Sequence, residues 1–159
     1  MSRVTGVPDD LAAALVRVVT ALRTMSPSRL GAPLPGPTRS RADAGRLLAR
    51  ALAVACQGIE DAELLAMPVW RTLPVVADLV VGDQVNVLAH DLSVAVGELT
   101  RDSGGSAEPP GVAGLSGTGV SDRARVSGGA TVWTPDGRVP LADVLRDVAA
   151  TTDEVQRLL

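Results

Sequence analysis

The sequence predicts an all-α fold, a four-helix bundle, on three observations. Four stretches, about 9–25, 40–66, 75–101 and 140–158, repeat apolar residues at alternating spacings of three and four. Such a repeat lines one side of a 3.6-residue helix. The stripes are nearly heptad, which favours helices crossing at about 20°, the geometry of left-handed bundles. Finally, the chain has no phenylalanine or tyrosine and is 46% hydrophobic, so its core must be aliphatic. At 159 residues it is expected to be a single helical domain, 1–159, large enough to bury one core.

The first helix is expected from about Asp9 to Met25. Pro8 suits an opening turn, and Asp9 and Asp10 favour the positive end of the macrodipole. Leu11, Leu15, Val18, Leu22 and Met25 form its stripe. Residues 26–40 contain four prolines and two glycines and read as an extended connection. Ser40 with Asp43 three residues later resembles a capping box and opens the second helix. Its inner face, Ala44, Leu48, Ala51, Leu52, Ala55, Ile59 and Ala62, alternates small and large residues, so a neighbouring helix can approach closely. That helix is expected to end near Ala66, before Pro68, with MPVWRTLP as a short turn.

The central helix, 75–101, carries Val81, Val85, Leu88, Leu92, Val96 and Leu99 on one side. Gly82 followed by Asp83 offers an alternative start, which leaves its continuity there open. A second strip, Val80, Val87 and Val94, falls on roughly the opposite side, and a helix apolar on two sides needs cover for both.

Residues 103–129 hold eight glycines, five serines and adjacent prolines with few large apolar side chains, so they read as a flexible Gly/Ser/Pro linker within the domain. Pro135, Asp136 and Gly137 form a turn signal, and a minimal β-hairpin is expected near 131–139. Pro140 opens the last helix, with Leu141, Leu145, Val148, Thr152, Val155 and Leu159 in its seam.

Composition excludes several chemistries. All 15 basic residues are arginine, which removes lysine Schiff bases, and the missing tyrosine removes phenolic acids. The abundance of Ala, Arg, Gly, Val and Pro suggests a high-GC bacterial origin. A lone Cys56 makes no internal disulfide, and its apolar helical neighbourhood predicts a buried, inert thiol. Apolar runs fall short of the roughly 20 residues that span a membrane, and the first residues lack a secretory pattern, so a soluble cytoplasmic protein with no membrane contact is expected.

Charge is uneven along the chain. Residues 1–50 carry eight arginines and three aspartates, and residues 51–159 carry seven arginines and fifteen acids. Arg29, Arg39, Arg41, Arg46 and Arg50 cluster at the start of the second helix; Arg39, Arg41, Arg46 and Arg50 could hold an anion, but pairing to the acidic part of the chain is the simpler expectation. The long gap between the first two helices does not fit a helix-turn-helix, so nucleic acid is not an expected partner.

His90, the one histidine, has Asp83 and Asp91 as its nearest candidate carboxylates for proton transfer, but the sequence places no nucleophile beside them. No Glu-x-x-His pair supplies a metal site, so neither metal nor cofactor is expected. Gly114, Gly117 and Gly119 lack the context and the lysine of a phosphate loop, and Ser116 in GLSGT fails the nucleophile elbow at its last position. The expectation is a non-enzymatic helical protein acting by association with itself or a partner protein through Val80, Val87 and Val94. The alternative is a small-ligand binding bundle or an enzyme that uses His90 with a neighbouring aspartate.

Overall fold

The computed structural model describes residues 6–36, 39–102 and 129–159. They are mostly helical, with five helices and one small antiparallel sheet. The helices are α1 (Asp9–Thr24), α2 (Pro27–Leu30), α3 (Arg41–Glu60), α4 (Val81–Asp102) and α5 (Leu141–Leu158). Strands β1 (Thr131–Thr134) and β2 (Gly137–Pro140) pair in the register Val132↔Val139 and Trp133↔Arg138, and Gly137 takes a positive φ of 129° at the turn. The expected linker lies, but for Gly129, outside the described residues, as do Gly114, Ser116, Gly117 and Gly119.

Each long helix turns the stripe its sequence marks out toward the core, with Met25, Ala51, Leu88, Leu99 and Leu159 only half-buried. Leu11, Leu15, Val18 and Leu22 of α1 meet Leu48, Leu52 and Ile59 of α3, Val81, Val85, Leu92 and Val96 of α4, and Leu141, Leu145, Val148 and Val155 of α5 in one core. Thr152 is fully buried in this seam, where its hydroxyl donates to the Val148 carbonyl at 2.7 Å. A buried hydroxyl bonded within its own helix turn avoids the cost of an unpaired polar group. Ser40 caps α3 by accepting from the Asp43 N–H at 3.1 Å, while its hydroxyl donates to Asp43 Oδ2 at 3.0 Å. Aspartate thus occupies the capping-box position, with its carboxylate on the Ser40 hydroxyl instead of the Ser40 N–H.

The helix directions follow from close approaches. Gly45, early in α3, lies against Val81 at the start of α4, and Cys56, late in α3, donates from Sγ to the Leu88 carbonyl further along α4. The two helices therefore run parallel. Leu22 and Arg23 at the end of α1 pack on Gly82, so α1 runs opposite to α4. The hairpin seats the Trp133 carbonyl on Gly58 near the end of α3 and leads directly into α5, so α5 runs back along α3.

This topology corrects the expected second helix of 40–66. It ends at Glu60, because a parallel α4 must begin beside the start of α3 and the chain has to travel the length of the helix to get there. After a turn over 61–63 and a bend at 65–66, the chain through residue 77 forms a long strap without helix or strand, not a short turn. Pro68 and Pro74 suit this path, and the acids Glu60, Asp61 and Glu63 oppose the macrodipole at the helix end. The expected start of the central helix at 75 is likewise corrected to Val81, after a 3-10 turn over Asp78–Val80. The helix is continuous through Gly82, whose missing side chain lets Leu22 and Arg23 pack closely. The short α2 was not foreseen in the proline-rich connection; Pro27 at its first turn starts it.

Candidate functional site

The outward side of α4 and the 3-10 turn before it carry the second valine strip. Val80, Val87 and Val94 are 44%, 57% and 42% exposed, while Val81, Val85, Leu92 and Val96 on the inward side are fully buried. Exposed Asp83, His90, Asp91 and Glu98 flank the valines. Gln84 stands beside them and donates from Nε2 to the Pro74 carbonyl at 3.2 Å, so the end of the strap runs alongside the strip.

The strap is fixed by side chains and not by a sheet. The buried Gln57 amide donates from Nε2 to the Val69 carbonyl at 2.8 Å and accepts the Arg71 N–H at 2.9 Å. Trp133 Nε1 donates to the Leu64 carbonyl at 3.2 Å, the Arg138 guanidinium donates to the Ala62 carbonyl, and Arg46 donates to the Val76 carbonyl at 2.9 Å. Residues 63–67 are all exposed, Leu65 to 99%, and alternation is confined to Met67–Arg71, where Pro68 is buried and Trp70 half-buried while Val69 is 91% exposed. Nearly bare apolar side chains on the strap, together with the half-exposed valine strip, are a departure from an ordinary protein surface.

The candidate catalytic residues are not assembled. Asp83 is engaged by Arg23, with Nε to Oδ1 at 2.9 Å and both side chains more than half exposed. His90 and Asp91 are exposed on α4 and make no hydrogen bond or ion pair with a described residue. No group of three or more metal-ligating side chains occurs among the described residues.

The arginine cluster disperses instead of converging on an anion. Arg46 joins Asp78 at 2.5 Å and Asp43 at 2.9 Å, so pairing to the acidic part of the chain holds for this residue. The hydrogen bond to Asp78 raises its pKa, and burial offsets part of that rise. Arg41 donates to the Arg29 carbonyl at 3.4 Å, Arg39 is exposed, and Arg50 turns toward a groove between α3 and α5. That groove, of about 410 Å³, has Leu47, Val54, Val144 and Val148 among its apolar walls and Asp136 and Asp147 among its polar groups. Cys56 is buried, and burial, reinforced by Asp91 and Glu60, pushes its thiol pKa up to about 12.

Sequence reasoning missed Gln57 and the strap. The available signal was one amide in the otherwise apolar run ALAVACQGI, since a buried side-chain amide requires partners. By length and hydropathy the segment Asp78–Arg101 is also apolar enough to cross a membrane, and its most apolar 18-residue stretch is one-third buried in the fold. Comparison with protein-family models, curated proteins and solved structures finds no match to this chain.

Proposed function

We propose that the chain is a four-helix bundle of the cytoplasm that acts by protein association and performs no catalysis, with Val80, Val87 and Val94 in the interface. The observation that carries this reading is exposed apolar side chains on two elements, the valine strip and the strap, whose Leu65, Val69 and Val75 are each more than four-fifths exposed. Large exposed apolar side chains of this kind on a folded chain favour an interaction site. Light scattering on the purified protein tests it. The wild type should show a mass above that of the monomer, and Val87→Asp with Val94→Asp should return the mass to the monomer with helix content unchanged. An assembly indifferent to both substitutions would remove the valines from the interface.

The α3/α5 groove favours a second reading, a bundle that binds a small amphipathic molecule. Its volume of about 410 Å³ lies in the range of small-molecule sites, and it combines apolar walls with a few charged groups. His90 is not among its lining residues. A metabolite that raises the melting temperature of the wild type, but not of an Ala51→Leu variant with a narrowed groove, would support this reading.

A further inference from the structure

We infer that two copies of the chain pair through α4, with Val87 against its own equivalent and His90 of each copy against a carboxylate of the other, an inference that rests on the association reading above. Val80, Val87 and Val94 stand seven residues apart, about two helical turns, so they form one line along the outward side. That line is symmetric about Val87, and a two-fold there superposes it on itself. Two further lines flank it. Asp83 and His90 lie on one side of the valines, and Gln84 and Asp91 lie on the other, each three or four residues from Val87.

Charge complementarity makes a second copy the occupant. In an antiparallel pair each flanking line meets the same line of the other copy, running the opposite way. Asp83, four residues before Val87, then comes within one residue, about 1.5 Å along the helix, of His90, three after it. In a parallel pair each line meets the opposite one, and His90 comes equally close to Asp91. Either way an imidazole faces a carboxylate twice, and the nearest carboxylates of the two copies stay eight residues, about 12 Å, apart along the helices. The groups are available for this. Asp83, His90 and Asp91 are exposed, and His90 makes no hydrogen bond or ion pair with a described residue. Arg23 of α1 engages Oδ1 of Asp83 at 2.9 Å and leaves Oδ2 open. A pair of helices falls short of the roughly 800 Å² a side in a standard interface, so bordering residues must add area. Val16, 65% exposed, lies two turns before Arg23 on the same side of α1, and Val75, 86% exposed, follows Pro74, whose carbonyl Gln84 holds.

The test uses cysteine pairing in the full chain, where native Cys56 is buried and its thiol unreactive. Val87→Cys should form disulfide-linked dimers under mild oxidation much faster than Ala150→Cys, an exposed position on α5. The orientation is read from the ends of the strip: Val80→Cys mixed with Val94→Cys links faster than either alone in an antiparallel pair, and each links to itself in a parallel one. His90→Asp should weaken dimerisation about 5–10-fold, since it creates two like-charge contacts. Neutralising the facing acid, by Asp83→Asn in the antiparallel case or Asp91→Asn in the parallel case, should remove most of that effect. Cross-linking at Val87 no faster than at Ala150, or a His90→Asp effect indifferent to both neutralisations, overturns the pairing. If Val87→Asp with Val94→Asp lowers the mass while these tests fail, association stands and the α4 pairing falls. A wild type that stays monomeric at every concentration overturns self-association together with the pairing.

Discussion

Gln57 and Val69 are joined across the surface of α3 by a bond from the buried amide to the strap carbonyl at 2.8 Å, and the same amide accepts from Arg71 two residues on. One side chain thus stands in for a residue of a neighbouring strand. Gln57→Leu keeps the volume and removes both bonds to the strap, along with a 3.3 Å bond from Nε2 to Asp61 Oδ2, at about 1–2 kcal/mol. Val69 and Arg71 can rehydrate when the strap lifts, so the closed state alone carries the loss and both local opening and global unfolding become easier by that amount. Trypsin cleavage after Arg71, followed by intact mass, should accelerate about tenfold, and the melting temperature should fall by only a few degrees.

Two glycines in the long helices should respond with opposite sign. A Cβ on Gly58 would run into the Trp133 carbonyl, a backbone atom that moves only with the hairpin. Gly58→Ala should destabilise by about 1–3 kcal/mol. At Gly97 a Cβ would meet only the end of the Arg101 side chain, at 3.5 Å. Gly97→Ala should stabilise by about 0.5–1 kcal/mol through helix propensity. The urea midpoints of the two variants check both signs.

These positions show where the sequence was readable. Stripe residues such as Leu48, Val85 and Val148 repeat at helical spacing and lie in the core, and the Ser40 cap and the Pro135–Gly137 turn are set by residues within four positions of one another. The exposure of Val80, Val87 and Val94 was legible for the same reason. What local pattern does not encode is direction. The parallel arrangement of α3 and α4 depends on Gly45 meeting Val81, more than thirty residues away, and it converts an expected short turn into the strap. The strap's anchors, Gln57, Arg46, Trp133 and Arg138, bond backbone carbonyls, which carry no residue identity for a sequence reading to find.

Arg46 ties the start of α3 to the entry of α4. Its guanidinium reaches Asp43, Asp78 and the Val76 carbonyl at once, a fork that lysine cannot reproduce. Arg46→Met should cost about 2 kcal/mol and Arg46→Lys about 1 kcal/mol, values near the low end for charged hydrogen bonds because both aspartates are more than 40% exposed. A double-mutant cycle with Asp78→Asn, read by urea denaturation, should show that most of the loss is shared between the two residues. Additive losses would place the effect of Arg46 elsewhere.

Cys56 gives the chain a single alkaline titration. Burial raises its thiol from 9.0 to about 12, so the folded protein keeps a proton that the unfolded chain releases above pH 9. Below pH 9 both states hold the proton and the group contributes no pH dependence. Between pH 9 and 12 the unfolded state binds fewer protons, and stability falls as pH rises, by up to about 1.4 kcal/mol per unit. The chain has no tyrosine and no lysine, the other side-chain types whose ordinary pKa values fall in that window. Urea unfolding at pH 9 and pH 11 should show a loss of about 2 kcal/mol in the wild type and almost none in Cys56→Ala. A loss of equal size in the variant would assign the alkaline sensitivity to the backbone or termini and not to the buried thiol.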